Sequence, residues 1–367
     1  MTTPLAVELK ALIAAEGPIS VGRYMALCLG HPRHGYYMTR DPLGARGDFI
    51  TAPEISQMFG ELIGLWAVAT WQQMGAPKAF RLVELGPGRG TLMADALRAA
   101  RLVPAFGAAA QVDLVEMSPV LRARQAASLK GLATPIWHDG LESVPDGPVV
   151  VIANEFFDAL PIDQFVRGRA GWHERRVGLD DADQLVFGLD PRPLPAIGAL
   201  AAHFPPAREG DLLERLEGGA VQALGARLAA QGGAALLIDY GHAAHGYGDT
   251  LQAMKDHRFV SPLETPGEAD LTAHVDFAAL ARGAKAAGAR AFGALTQGEF
   301  LARLGLGARA TRLQQGQDEA GRAAIAAAAH RLAGAEAGQM GTLFKVLALG
   351  DPSLGPPPGF APQEEFA

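Results

Sequence analysis

The sequence predicts an α/β protein organised around a mostly parallel sheet. From residue 80 onward, short apolar runs alternate with helical segments. The first of these runs ends in a glycine-rich turn, Val83-Glu84-Leu85-Gly86-Pro87-Gly88-Arg89-Gly90-Thr91. About eighty residues separate the fourth run from the fifth, which marks an insertion in the sheet. Strand, helix and strand in repetition give parallel strands covered by helices on both faces, and such buried strands read as continuous apolar runs.

Taken in chain order, residues 5 to 28 read as helical, and 31 to 54 as a Gly- and Pro-rich stretch with little periodicity. A loop of that length is a candidate lid. Residues 55 to 75 place Phe59, Leu62, Ile63, Trp66 and Ala69/Thr70 at helical spacing, the core face of a helix. Strands follow at 80 to 85, 111 to 116, 134 to 137, 148 to 153, 234 to 241 and 342 to 349. The insertion carries an antiparallel hairpin around "DQFVRGRAGWHERRVGL" and "DQLVFGLD", then a helical stretch at 209 to 231. A second Gly/Pro-rich connection spans 241 to 275, the alanine-rich segment 319 to 337 reads as helix, and the proline-rich tail reads as flexible. The expected organisation is an N-terminal helical and lid region (1 to 75), two halves of the core (76 to 165 and 233 to 350), the insertion (166 to 232) and the tail (351 to 367).

Composition narrows the function classes. The chain has 367 residues, enough for two or three domains or one large core with insertions, with 49% apolar and 19% charged residues. Cys28 is the only cysteine, which rules out a disulfide framework or a Cys-based zinc site within one chain. The opening lacks a basic region followed by an apolar one, and no run reaches the ~20 apolar residues of a membrane span, so a cytoplasmic location is expected. The net charge of −7 and pI near 5.8 argue against a nucleic-acid footprint and favour cationic ligands or basic protein segments. His242, His245, His257 and His274 show no consistent metal spacing, and no metal is expected.

The glycine turn sits at the carboxyl edge of the first predicted strand, where open sheets bind ligands. A dinucleotide fingerprint needs G-x-G-x-x-G, whereas here the third glycine comes one residue early and Thr91 takes its place. Glu84 inside the motif repels phosphate and attracts an ammonium or sulfonium group, which points to S-adenosylmethionine. Glu116 ends the second predicted strand, where a carboxylate can accept both ribose hydroxyls. Asp139, in "HDG" after the third strand, reads either as an acceptor for the adenine amine or as a turn-forming residue before glycine. The fourth strand runs into "NEFFDALP", with Asn154, Glu155 and Asp158 as candidates to orient the methyl acceptor. The bland alternative is that the three cap a following helix.

The blocks "LGARGDFITAPEISQMFGELIG", "VELGPGRGTLMAD", "VEMSPVLRARQ", "ANEFFDALPIDQF", "LLIDYG", "DLTAHVDF" and "GTLFKVLAL" occur in order over nearly the whole chain. In these the sequence resembles the NDUFAF7/MidA family of class I methyltransferases, related to a mitochondrial complex I assembly factor. The resemblance implies a seven-stranded Rossmann-like core, an N-terminal helical and lid region, a substrate-covering insertion between strands four and five, and S-adenosyl-L-methionine as cofactor, leaving S-adenosyl-L-homocysteine as product. It further implies protein arginine methylation on a subunit of the complex I 49 kDa type, and a homodimer is a further expected partnership. Residue by residue, it implies that Glu84, Gly86, Gly88 and Gly90 hold the methionine end and Glu116 the ribose. Thr51, Ser56 and Gln57 would fold over the cofactor with Asp48 shaping the turn, although Thr51 and Ser56 read equally as helix caps. In the implied chemistry Glu155 orients and deprotonates the guanidinium while Asn154 holds its other nitrogens. A small-molecule methyltransferase and a non-catalytic assembly factor that kept the cofactor pocket are the alternatives.

Overall fold

The computed structural model describes residues 3–39, 51–216 and 219–366; Asp48 and the middle of the candidate lid, 40 to 50, lie outside them. The chain forms two units, each assembled from three separate segments. The second unit, Ile50–Phe156 with Ala220–Ala243 and Asp276–Ala367, holds the predicted sheet. Its strands are β1 (Phe80–Leu85), β2 (Ala110–Val115), β3 (Ile136–His138), β4 (Val149–Asn154), β5 (Gly233–His242), β6 (Arg290–Thr296) and β7 (Phe344–Gly350). They run in the order β6-β7-β5-β4-β1-β2-β3. The five strands from β5 to β3 are mutually parallel, while β7 runs antiparallel between β5 and β6. Registers such as Leu82↔Val112, Leu82↔Val150 and Leu236↔Ile152 stack apolar residues across the sheet. All of these except Val112 are at most 1% exposed. That continuous burial is why the runs are apolar throughout rather than alternating.

The strand β6 is the seventh that the resemblance implied and that the apolar runs did not reveal. Its "RAFGALT" carries few branched residues, and its register with β7 shifts between Phe292 and Leu295. Helix α1 (Gln57–Gln73) buries Phe59, Leu62, Ile63 and Trp66 as the spacing predicts, and packs on α2 (Thr91–Ala100). The approach is close because α1 presents glycines: a Cβ at Gly60 would lie 2.6 Å from the Asp95 Cβ, and one at Gly64 2.5 Å from the Ala96 Cα. Helix α3 (Pro119–Ser128) follows β2 and is capped by the Ser118 side chain.

The stretch expected as a flexible tail is held instead. Arg290 and Arg303 pair with Glu365 and Glu364, the Trp66 indole donates to the Pro358 carbonyl, and Phe360 is 9% exposed within the core. Proline supplies carbonyl acceptors and preset dihedrals, so a proline-rich segment packs readily when it meets donors and apolar surface.

The first unit, Met1–Phe49 with Phe157–Gly219 and Ala244–Val275, is built differently. Two helices, Pro4–Glu16 and Val21–Gly30, are separated by Gly17 at φ 87°, which divides the expected 5 to 28 helix. An antiparallel sheet contains the hairpin Ile162–Gly168 and Gly171–Leu179, with Leu185–Pro193 beside it. The helix expected over 209 to 231 is two elements: the strand Leu212–Leu216, paired with Ile162–Val166, and the helix Ala220–Gln231, which belongs to the second unit. Leu213 is fully buried by that pairing, a tertiary demand that overrides the helical reading of "LLERL".

Candidate functional site

The carboxyl ends of β1, β2 and β4 bring most of the predicted residues into the second unit. After β1 the chain turns through Gly86, Gly88 and Gly90 at φ 61°, 53° and 78°, so all three glycines occupy the left-handed region that side chains disfavour. The turn is closed by Gly86 N–H donating to the Val115 carbonyl at 3.0 Å and Gly90 N–H to the Pro87 carbonyl at 2.7 Å. At Gly86 a Cβ would also meet the Phe156 ring at 2.9 Å, and at Gly90 it would meet the Gln125 Cα at 3.3 Å. The early third glycine is therefore explained by two things: it starts α2 in a left-handed conformation, and it lets α3 lie against the turn. Thr91 donates through its hydroxyl to the Glu54 carboxylate at 2.5 Å, and so the start of α2 is tied to the segment before α1.

Glu84 lies in the middle of the sheet, paired with Leu114 and Ile152, and is 2% exposed. One hydrogen bond comes from the Met93 backbone N–H in the first turn of α2. This serves a helix whose N-cap, Gly90, offers no side chain of its own. The other oxygen, Oε2, is buried without a hydrogen-bond partner. Burial pushes the carboxyl up to about 8 from its ordinary 4.5. A buried carboxylate oxygen awaiting a donor, beside backbone that no Cβ obstructs, fits the cationic methionine end of S-adenosylmethionine and disfavours a pyrophosphate.

Glu116, just past β2, accepts from Ser118 N–H at 2.8 Å and from the Gln125 amide at 3.2 Å. Burial raises its carboxyl from the ordinary range, against the pull of those hydrogen bonds. The Asp139 side chain is 84% exposed and its Oδ1 pairs with Arg122 at 2.6 Å. Arg122 also donates to the Glu116 carbonyl at 2.7 Å.

At the end of β4, Asn154 is 9% exposed and its Oδ1 has no hydrogen-bond partner among the described residues, while its Nδ2 donates to Glu155 at 3.2 Å. Glu155 is held at φ 50°, a left-handed conformation that costs a non-glycine residue about 1 kcal/mol or more. Its N–H donates to the Ile238 carbonyl at 2.9 Å, and its Oε1 accepts from Ala52 N–H at 3.3 Å. Asp239 on β5 fixes the next residue by accepting from Phe156 N–H at 3.2 Å. The following helix assumed by the capping alternative is absent, since Asn154 ends a strand and the next element is the strand Ile162–Gly168. Glu155 instead faces the start of the short helix Ala52–Ile55.

Phe157 and Asp158 belong to the first unit. There Asp158 is 6% exposed and its carbonyl accepts from Ala273 N–H at 3.0 Å. Tyr37, within the same unit, donates to Asp270, and burial together with the Asp270 and Asp158 charges pushes its hydroxyl well up. Of the lid candidates, Ser56 is a cap that accepts from Met58 N–H at 3.2 Å. Thr51 precedes Ala52–Ile55 without capping it through its side chain, and Gln57 is exposed and donates to Glu61 at 3.3 Å. Sequence reasoning missed Glu54, Gln125 and Asp239. A buried glutamine one helix beyond Glu116 was the one available signal, because its amide needs partners wherever it is enclosed.

Comparison with known proteins agrees with this geometry. Residues 62–295 match the model of a family described as "Putative S-adenosyl-L-methionine-dependent methyltransferase". The zebrafish (Danio rerio) mitochondrial protein arginine methyltransferase NDUFAF7 is 41% identical over 87% of this chain and 80% of its own length. The human protein of the same name is 39% identical over 84% of this chain and 74% of its own. A Burkholderia thailandensis protein crystallised with S-adenosyl-homocysteine is 31% identical, with a TM-score of 0.86 over 99% of this chain and 95% of that one. The expectation of a cytoplasmic location is corrected by these relatives, which are named as mitochondrial proteins. The composition of the opening residues was too weak a signal to set a compartment. Among the described residues, no helix is long and apolar enough to cross a membrane.

Proposed function

Because the chain belongs to this family of S-adenosyl-L-methionine-dependent methyltransferases, we propose that its acceptor is an arginine side chain of a protein, and that the protein is a respiratory complex I subunit of the 49 kDa type. The relatives' names support the arginine. The observation in this chain that carries the reading is the pair formed by Asn154 Oδ1, buried and unpartnered, and the adjoining Glu155 carboxylate. A guanidinium has five N–H donors and no acceptor, so its receptor must present acceptors.

When bound, S-adenosylmethionine supplies an electrophilic methyl group. Glu84 and the glycine turn would hold its cationic end, and Glu116 its ribose. Thr51, Ser56 and Gln57 remain the side chains proposed to border it. Asn154 Oδ1 would accept from one guanidinium nitrogen, while Glu155 orients a second and takes its proton as the nitrogen–carbon bond forms. Arginine stays protonated in water, so that proton transfer has to be supplied by the site.

The purified protein is expected to bind S-adenosylmethionine and S-adenosylhomocysteine but not NAD by titration calorimetry, and tight NAD binding alone would overturn the cofactor assignment. Incubated with labelled S-adenosylmethionine and the 49 kDa-type subunit, it should place methyl groups on arginine, located by mass spectrometry of the peptides. Cofactor turnover confined to small-molecule acceptors would instead establish the small-molecule alternative. Glu116→Ala should weaken S-adenosylhomocysteine binding by about 1.5 to 3 kcal/mol, the scale of hydrogen bonds to a charged group, with the fold retained. An unchanged dissociation constant would remove Glu116 from the ribose.

A further inference from the structure

Gln125 is fully buried on α3, and both ends of its amide are hydrogen-bonded. Its Oε1 accepts from the Trp137 indole N–H at 2.8 Å, and its Nε2 lies 2.8 Å from the Gly88 carbonyl and 3.2 Å from Glu116 Oε2. Trp137 fixes the orientation of this amide, because an indole nitrogen can only donate and so must face the amide oxygen. Both amide hydrogens are then directed to acceptors, one on the glycine turn and one on Glu116. A second α3 side chain, Ser128, donates to the Arg89 carbonyl at 2.8 Å, which secures the same turn one residue further on.

We propose that Gln125 is a positioning residue for the cofactor, whose amide fixes the Glu116 carboxylate relative to the glycine turn before the ligand arrives. This rests on the assignment of Glu116 to the ribose. Glu116 has two oxygens and the structure gives each a donor: Ser118 N–H on Oε1 and Gln125 Nε2 on Oε2. The backbone donors, Ser118 N–H and Met117 N–H, hold the carboxylate from its own strand end and loop only. The amide adds a restraint from another element, and it does so from a residue that simultaneously holds the Gly88 carbonyl. Two segments far apart in sequence are thereby set at one separation. A rigidly presented carboxylate gains affinity by avoiding the cost of ordering on binding. Trp137 sits one step further out, and its role in this scheme is to keep the amide from inverting, which would present its oxygen to two other acceptors.

The test is a double-mutant cycle on the full chain, read as S-adenosylhomocysteine affinity by calorimetry alongside melting temperature. Gln125→Met keeps length and apolar volume but removes every hydrogen bond. It should weaken binding about tenfold in the wild-type background and several-fold less in Glu116→Ala, where only the part that acts through the Gly88 carbonyl remains. An equal loss in both backgrounds would make Gln125 a purely structural residue and overturn the proposal, as would no loss in either. If Gln125→Met does not fold, Trp137→Phe carries the same cycle, since it removes only the donor that orients the amide. Wild-type protein that binds no S-adenosylhomocysteine would refute the cofactor reading instead, a result distinct from failure of the cycle.

Discussion

Glu155→Gln is expected to leave S-adenosylhomocysteine affinity nearly unchanged and to lower single-turnover methyl transfer to arginine by about two to four orders of magnitude, the usual range for a general base. The substitution preserves the size of the side chain and an oxygen that can accept from Ala52 N–H. It removes the charge and the ability to take a proton. The backbone around the residue is fixed independently of the carboxylate, by the Ile238 carbonyl and by Asp239 on Phe156 N–H, so the strained φ of 50° should persist in the variant. Strain at a non-glycine residue is tolerated where the surroundings over-determine it, and such positions concentrate at functional sites. If Glu155 serves only the start of Ala52–Ile55, the cost should be about 0.3 to 1 kcal/mol of stability with turnover retained. Melting temperature and single-turnover rate on one preparation separate the outcomes, and full activity in the variant would remove Glu155 as the base.

The second large effect is a pH dependence of cofactor affinity. In the free protein the Glu84 carboxyl is pushed up to about 8 by burial, so it is mostly protonated at neutral pH. Holding a ligand ammonium calls for the ionised form, and binding must therefore release a proton. The dissociation constant for S-adenosylhomocysteine should fall by up to about tenfold per unit from pH ~6 to ~8 and then level off. Glu84→Gln should bind weakly and without that slope, and a flat profile in the wild type would break the link between Glu84 and the ligand. The stability of the free protein runs the other way. The unfolded carboxyl titrates near 4.5 and the folded one near 8. Between those values the unfolded state holds fewer protons, and stability falls as pH rises. The contribution is complete below about 4.5 and gone above about 8, and in Glu84→Gln this part of the profile should be flat.

Much of the fold was readable from the chain because the parallel strands are buried on both faces and so spell out apolar runs. Glu84, Glu116 and Asn154 were read at or next to the carboxyl ends of those runs, and the structure puts them there. Arg290–Thr296 escaped because a strand beside β7 at the sheet's end is rich in alanine and carries a glycine, which leaves no pattern of branched side chains. Leu212–Leu216 escaped because five residues, "LLERL", are too short a pattern to distinguish strand from helix until their partner, Ile162–Val166, is known. The ion pair of Asp139 with Arg122 was not legible either, because it depends on where α3 lies. The contacts of Gln125 with Gly88 and of Glu54 with Thr91 join residues 37 positions apart and have no local signature at all.

The place of the last strand also bears on how the protein is made. Because β7 lies between β5 and β6, the final core strand to leave the ribosome is an interior one. Until Phe344–Gly350 is available, β5 and β6 lack the neighbour they share, and each presents unpaired backbone along one edge. Both units also draw on segments from widely separated parts of the chain, so neither can be finished while its N-terminal portion alone has been synthesised. Non-local closure of this kind is slow and leaves strand edges open to other chains during translation. A nascent chain of this protein therefore carries open strand edges in its core sheet until Phe344–Gly350 has been translated.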